Sequence, residues 1–222
     1  MSYGHRLEIG EFKQVLNSSD KSLSFEYHQI FQSFAKRVQY CDIYFSEFAK
    51  VTTPEAISHD YETDVFGSKE PVIDYRLYYE AHALAFLQNV HALCDTVPYA
   101  IKIILFKDNS DTEIKWDKDL IARVKKKFPN DKEFSSALSK FMKNDDFLRL
   151  KGYVNKAKHQ YLVTILNTDK ELKFSNFTYK RYSGKKRTRI AENENVEKFM
   201  LRMHEKLIGE LFHIYKYMYQ LI

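Results

Sequence analysis

Glycine and proline are scarce in this chain: six and four residues among 222, with the prolines at Pro54, Pro71, Pro98 and Pro129. All-β folds and doubly wound α/β folds need more turn residues than that, so the scarcity favours long helices. Cysteine is rarer still. Cys41 and Cys94 stand far apart, with no CxxC and no Cys/His zinc spacing, which argues against a disulfide scaffold and a structural metal site. Two buried, reduced thiols are the expectation. Long apolar runs are absent too: "MSYGHRLEIG" has no apolar core of a leader, and "YAIKIILF" at 99–106 is too short and lysine-interrupted to span a bilayer. A soluble cytoplasmic protein with no membrane contact is expected. No Gly-rich phosphate loop, zinc set or Ser/Cys nucleophile context is present, so nothing points to nucleotide triphosphate or hydrolase chemistry, and no cofactor is expected.

What the chain does have is helical periodicity. Apolar residues recur at intervals of three and four from Leu23 through Ile30, Phe34, Val38 and Cys41 to Phe48, predicting a long amphipathic helix capped by Ser19 or Asp20 and ending near Val51. The stretch 52–72, with Pro54, Gly67 and Pro71, reads as a long irregular connection. A second helix is expected from about Ile73, kinked or ended by Pro98. A polar loop, "KDNSDTEIKWDKD", precedes two short helices around "LIARVKKKF" and "DKEFSSALSKFMKN". A further helix follows "NDD", with Asp145 or Asp146 as its cap, and runs through "RLKGYVNKAKHQYLV" at 149–163. Then comes partial alternation in "ELKFSNFTYKRYSGKKRTRIA", a basic β-hairpin at about 171–190 turning at Ser183-Gly184. A closing helix from about Asn193 carries the stripe Val196, Met203, Leu207, Leu211 and Tyr215. The predicted fold is mainly α: one domain over 1–222, a bundle of long antiparallel helices with one small basic hairpin before the C-terminal helix.

Charge is unevenly spread. Between Arg149 and Arg189 lie twelve Lys/Arg against two acids, a local net charge of +10, although the whole chain carries only +5. Such asymmetry suits a polyanion, whose phosphates release counterions to Lys and Arg; the alternative is a solvated basic face. Within this segment, helical spacing puts Phe147, Leu150, Val154, Ala157 and Tyr161 on a core-facing lane. Lys151, Asn155, Lys158, His159 and Leu162 form the lane beside it. Asn155 and His159 are therefore stacked one turn apart at the edge of the buried face. Imidazole exchanges protons near neutrality while adjacent lysines bind phosphate, so the pair reads either as a proton-transfer site or as hydrogen-bonded core residues. Gly152 inside the same helix costs about 1 kcal/mol relative to alanine, which implies close packing or binding there. On the second helix Arg76, Glu80, Gln88, His91 and Asp95 follow one another at helical spacing, interrupted by Leu84. Arg76/Glu80 and His91/Asp95 are i,i+4 pairs able to satisfy each other; unpaired, the row would line a small-molecule pocket.

"VNKAKH" at 154–159 resembles the motif of HEPN-domain proteins, α-helical bundles of prokaryotic toxin–antitoxin, phage-defence and RNA-processing systems. That motif is Arg, a polar residue often Asn, a few variable positions and His. Asn155 and His159 match it and Val154 stands in place of the arginine; "AHALAFLQNVHALCDTV" upstream is similar in kind. The resemblance implies metal-independent RNA cleavage, with His159 as general acid/base, Asn155 orienting the phosphate or the imidazole, and a homodimer whose two motifs face each other. RNA contacts would then come from Lys151, Lys156, Lys158, Lys180, Arg181, Lys185, Lys186, Arg187 and Arg189. Valine cannot make the two parallel hydrogen bonds a guanidinium gives a phosphate. By helical angle Lys151 and Lys158 are better placed to substitute than Arg149, and the near-match Arg76 to His82 spreads its ends about 120° apart. The alternative is a catalytically inactive module, antitoxin-like or regulatory, whose basic hairpin docks an acidic protein.

Overall fold

The computed structural model describes residues 25–66, 75–181 and 187–221; residues 1–18, whose sequence reads as an irregular lead-in, the expected first-helix cap at Ser19 or Asp20, the Ser183-Gly184 turn, Lys185 and Lys186 lie outside them. Among the described residues the fold is mainly helical. In order come α1 (Phe25–Val51), α2 (Pro54–Phe66), α3 (Tyr75–Ala100), α4 (Lys118–Lys127), α5 (Lys132–Met142) and α6 (Asp145–His159). Four short strands follow, β1 (Ile165–Asn167), β2 (Leu172–Phe174), β3 (Phe177–Arg181) and β4 (Arg187–Ala191), and then α7 (Val196–Arg202) and α8 (Ile208–Gln220).

The stripes read from the sequence form the core. Phe34, Val38, Cys41 and Phe48 of α1, Phe86, Leu87, Val90 and Cys94 of α3, and Val196, Met203, Leu207, Leu211 and Tyr215 at the C-terminus are buried together. Ring contacts fix the directions. Phe45 meets Phe86 while Phe31 meets Tyr215, and the Tyr215 hydroxyl reaches Thr96. Therefore α1 runs antiparallel to both α3 and α8, and those two run parallel to each other. Desolvation in this core pushes the Cys41 and Cys94 thiols far above the ordinary range, so both are poor nucleophiles.

Three local expectations change. The irregular connection contains α2, because Pro54 occupies the first helical turn, where its missing N–H is no loss, and Thr53 Oγ accepts from Ala56 N–H at 3.2 Å. The cap of α6 is Asn144, whose Oδ1 accepts from Asp146 and Phe147 N–H at 2.9 and 3.2 Å. That helix stops at His159, leaving Tyr161 and Leu162 exposed rather than on helix lanes.

The strands make two antiparallel pairs rather than one hairpin. β1 pairs with β2 (Ile165↔Phe174), and β3 with β4 (Phe177↔Ala191, Tyr179↔Arg189). Phe174 and Phe177 pack on Tyr153 of α6, and Phe174 also on Phe199 of α7, which seats both pairs on the bundle. Gly152 is where β3 meets α6: a Cβ there would lie 2.5 Å from Tyr179 Cβ and 3.1 Å from Tyr179 Cα. Atoms next to the backbone cannot rotate away. Gly152→Ala should therefore lose about 1–2 kcal/mol, overpacking outweighing the helix propensity gained. A urea midpoint at or above that of the parent protein would show that β3 gives way freely.

Candidate functional site

The site begins with Pro98. Proline has no N–H for the Cys94 carbonyl one turn back, and that carbonyl instead accepts a 2.8 Å hydrogen bond from the indole N–H of Trp116. The chain between them is thereby pinned against α3. Past Ala100 the helix widens into a π-turn, Ile101–Leu105, a distortion often found at functional sites. It carries Lys102 inward: the side chain is buried, and its ammonium donates to the carbonyls of Ser110 and Thr112. Those bonds compensate a buried charge and hold the 109–112 backbone over the end of α3. Asp108 steadies the same loop. Hydrogen bonds from Ser110 and from Arg123 hold its carboxyl down at about 2.

Between this loop, the C-terminal half of α3 and one lane of α6 lies a cleft of about 850 Å³. From α6 it is lined by Lys151, Asn155 and His159, all exposed, and from α3 by His91 and Asp95. Tyr99, half exposed, and Trp116 supply aromatic walls. Lys102, Lys115 and Lys151 meet Asp95, Asp111 and Glu113 around the cleft, so its charge is mixed rather than uniformly basic. Lys115 pairs with Glu113 at 2.8 Å. Val154, at the motif's arginine position, is fully buried; a guanidinium could not reach the cleft from there.

His91 differs from the other residues in the cleft. It is 5 % exposed, and Nδ1 lies 3.1 Å from Asp95 Oδ2, but the carboxylate is not in line to accept a hydrogen bond. Neither ring nitrogen has a hydrogen-bond partner among the described residues. Leaving a buried polar group unsatisfied costs about 1–3 kcal/mol. The polar row on α3 thus divides. Arg76 and Glu80 pair at 3.5 Å, and Glu80 also accepts from Ile165 N–H at 3.4 Å, anchoring β1. Only His91 and Asp95 of that row reach the cleft, and His82, end of the Arg76 near-match, does not line it.

Among the described residues, the other cations read from the sequence do not line the cleft. Lys156 donates to Gln160 and Tyr161 and sits 4.9 Å from the Tyr161 ring centre. Lys158, Lys180 and Arg189 are exposed but do not line the cleft, and Arg181 pairs in register with Arg187. Lys173 is held by Glu171 at 2.6 Å, and Arg149 by Asp145 and Glu194; the last two acids lie outside 149–189 in sequence, so part of the +10 is neutralised in space. Sequence reasoning missed Lys102, Tyr99 and Trp116. The lone lysine in "YAIKIILF" was the available signal, since a charge within an apolar run must find partners. It also missed His204, buried in a second π-turn, Met203–Leu207, 2.6 Å from Asp42 and stacked on Phe45; that pair joins α1 to the C-terminal helix and does not line the cleft.

Among the described residues no helix is long and apolar enough to cross a membrane, and no group of three or more His, Cys, Asp and Glu could hold a metal ion. No known protein family, curated protein or solved structure matches the chain.

Proposed function

We propose that the protein binds RNA and cleaves it without a metal ion, as a HEPN-like endoribonuclease of the kind used in prokaryotic defence and toxin–antitoxin systems, acting as a homodimer in the cytoplasm. The observation that carries this reading is that Lys151, Asn155 and His159 stand on successive turns of α6 and open into one cleft. Its volume falls in the range of ligand sites. His159 takes the proton of the 2′-hydroxyl, Asn155 orients the phosphate, and Lys151 supplies the cation that Val154 cannot. Tyr99 offers an aromatic face for a base.

A second reading, an inactive interaction module, is favoured by one observation: Asp95, Asp111 and Glu113 line the same cleft and would repel a polyanion. Incubating the purified protein with single-stranded RNA in excess chelator separates the two. Cleavage leaving 2′,3′-cyclic phosphate and 5′-hydroxyl ends is expected. So is RNA affinity that falls steeply with salt, by a logarithmic slope of about 0.7 per phosphate contacted. Intact RNA with salt-insensitive, negligible binding would favour the module.

A further inference from the structure

Resting on the ribonuclease reading, we infer that His91 is the second proton-transfer group of the cleft, so that one protomer carries both the base and the acid. The juxtaposition is of two imidazoles on different helices, His159 exposed at the end of α6 and His91 sunk in the wall formed by α3. Burial without a hydrogen bond is unfavourable for an imidazole unless a ligand completes it, and His91 lines the cleft with both nitrogens unpartnered by hydrogen bonds. The Asp95 carboxylate, 3.1 Å from Nδ1, is the charged group beside the ring, and both nitrogens keep their hydrogen-bonding capacity for a ligand that enters the cleft. Lys102 is engaged by the loop carbonyls. Lys151, Lys115, Asp111 and Glu113 are the remaining charged groups of the cleft.

His159 removes the proton of the 2′-hydroxyl, whose oxygen forms a bond to phosphorus. The bond from phosphorus to the 5′-oxygen breaks, and that oxygen takes a proton from the His91 imidazolium. The products are a 2′,3′-cyclic phosphate, a 5′-hydroxyl, protonated His159 and neutral His91, and exchange with solvent restores both rings.

The test uses the full chain and two RNAs, one ordinary and one with sulfur in place of the bridging 5′-oxygen. A thiolate leaves without needing a proton. His91→Gln should cut ordinary RNA about 100-fold more slowly, the size expected for loss of a general acid, yet cut the sulfur-bridged RNA within a few-fold of the parent rate. His159→Ala should fail on both. Preserved cutting of the sulfur-bridged RNA also shows that His91→Gln is folded. A His91→Gln protein equally slow on both RNAs, or as fast as the parent on both, overturns the role of His91 while leaving the ribonuclease reading in place. A parent protein that cuts neither overturns both.

Discussion

Replacing His159 by alanine should abolish metal-free RNA cleavage, lowering the rate by about 10²–10⁴-fold, the range for loss of a positioned proton-transfer group. Stability should hardly move. His159 is the last residue of α6 and exposed, and surface substitutions away from packing and caps usually fall within about 0.5 kcal/mol. RNA affinity should stay within about twofold, because phosphate binding rests on charge and Lys151 with the outlying cations remains. The combination discriminates: a proton-transfer role predicts lost turnover with unchanged binding and folding, whereas a structural role predicts a lowered urea midpoint. Gel-resolved cleavage and filter binding on the same preparation measure both. An undiminished rate would remove His159 from the mechanism.

The long helices were legible because each buries one apolar stripe, and a stripe is a property of a contiguous segment. Phe34, Val38 and Cys41, or Met203, Leu207 and Leu211, declare their face without knowledge of the partner, and all are buried. Connections were harder, since one residue type has two uses. Pro54 breaks a helix from within but begins one at its first turn, and only Thr53 before it distinguishes the cases. The lane of Lys151, Asn155 and His159 was legible for the same reason as the stripes. What faces it was not. His91 lies about seventy residues earlier and reads locally as one half of an i,i+4 pair; that its nitrogens lack hydrogen bonds depends on side-chain angles that spacing does not determine. The third wall depends on Pro98 freeing a carbonyl for Trp116 and on Lys102 finding two others, and those partners come from a polar loop with no periodicity to read. Charge counting along the chain likewise omitted the acids that the fold returns to Arg149.

Those acids lead to the largest stability effect expected of a single polar substitution, at Glu194. Its carboxylate joins Arg149 of α6 to Arg202 of α7, the latter at 2.7 Å, and its side chain is only 12 % exposed. Arg149 is further bound by Asp145 at 3.0 Å and stacks over Tyr179, while Arg202 is bound by Asp146 at 3.2 Å. The Glu194 carbonyl also accepts from Phe174 N–H at 2.9 Å, so this residue fastens β2 as well as two helices. Glu194→Ala leaves two half-buried guanidinium groups facing each other without their shared counter-charge. Breaking a fully buried pair costs about 3–5 kcal/mol; each arginine here keeps one carboxylate and some solvent, which lowers the expected loss to about 2–3 kcal/mol. Glu194→Gln, retaining hydrogen bonds but not charge, should fall between the alanine variant and the parent. Urea unfolding of the parent, both Glu194 variants and the Glu194→Ala/Arg202→Ala pair measures the coupling: if repulsion between the arginines drives the loss, removing Arg202 as well should recover part of it. A single-variant loss below about 0.5 kcal/mol would place the pair among surface ion pairs screened by solvent, with β3 and β4 then held to α6 by the Gly152–Tyr179 contact and the aromatic cluster around Tyr153.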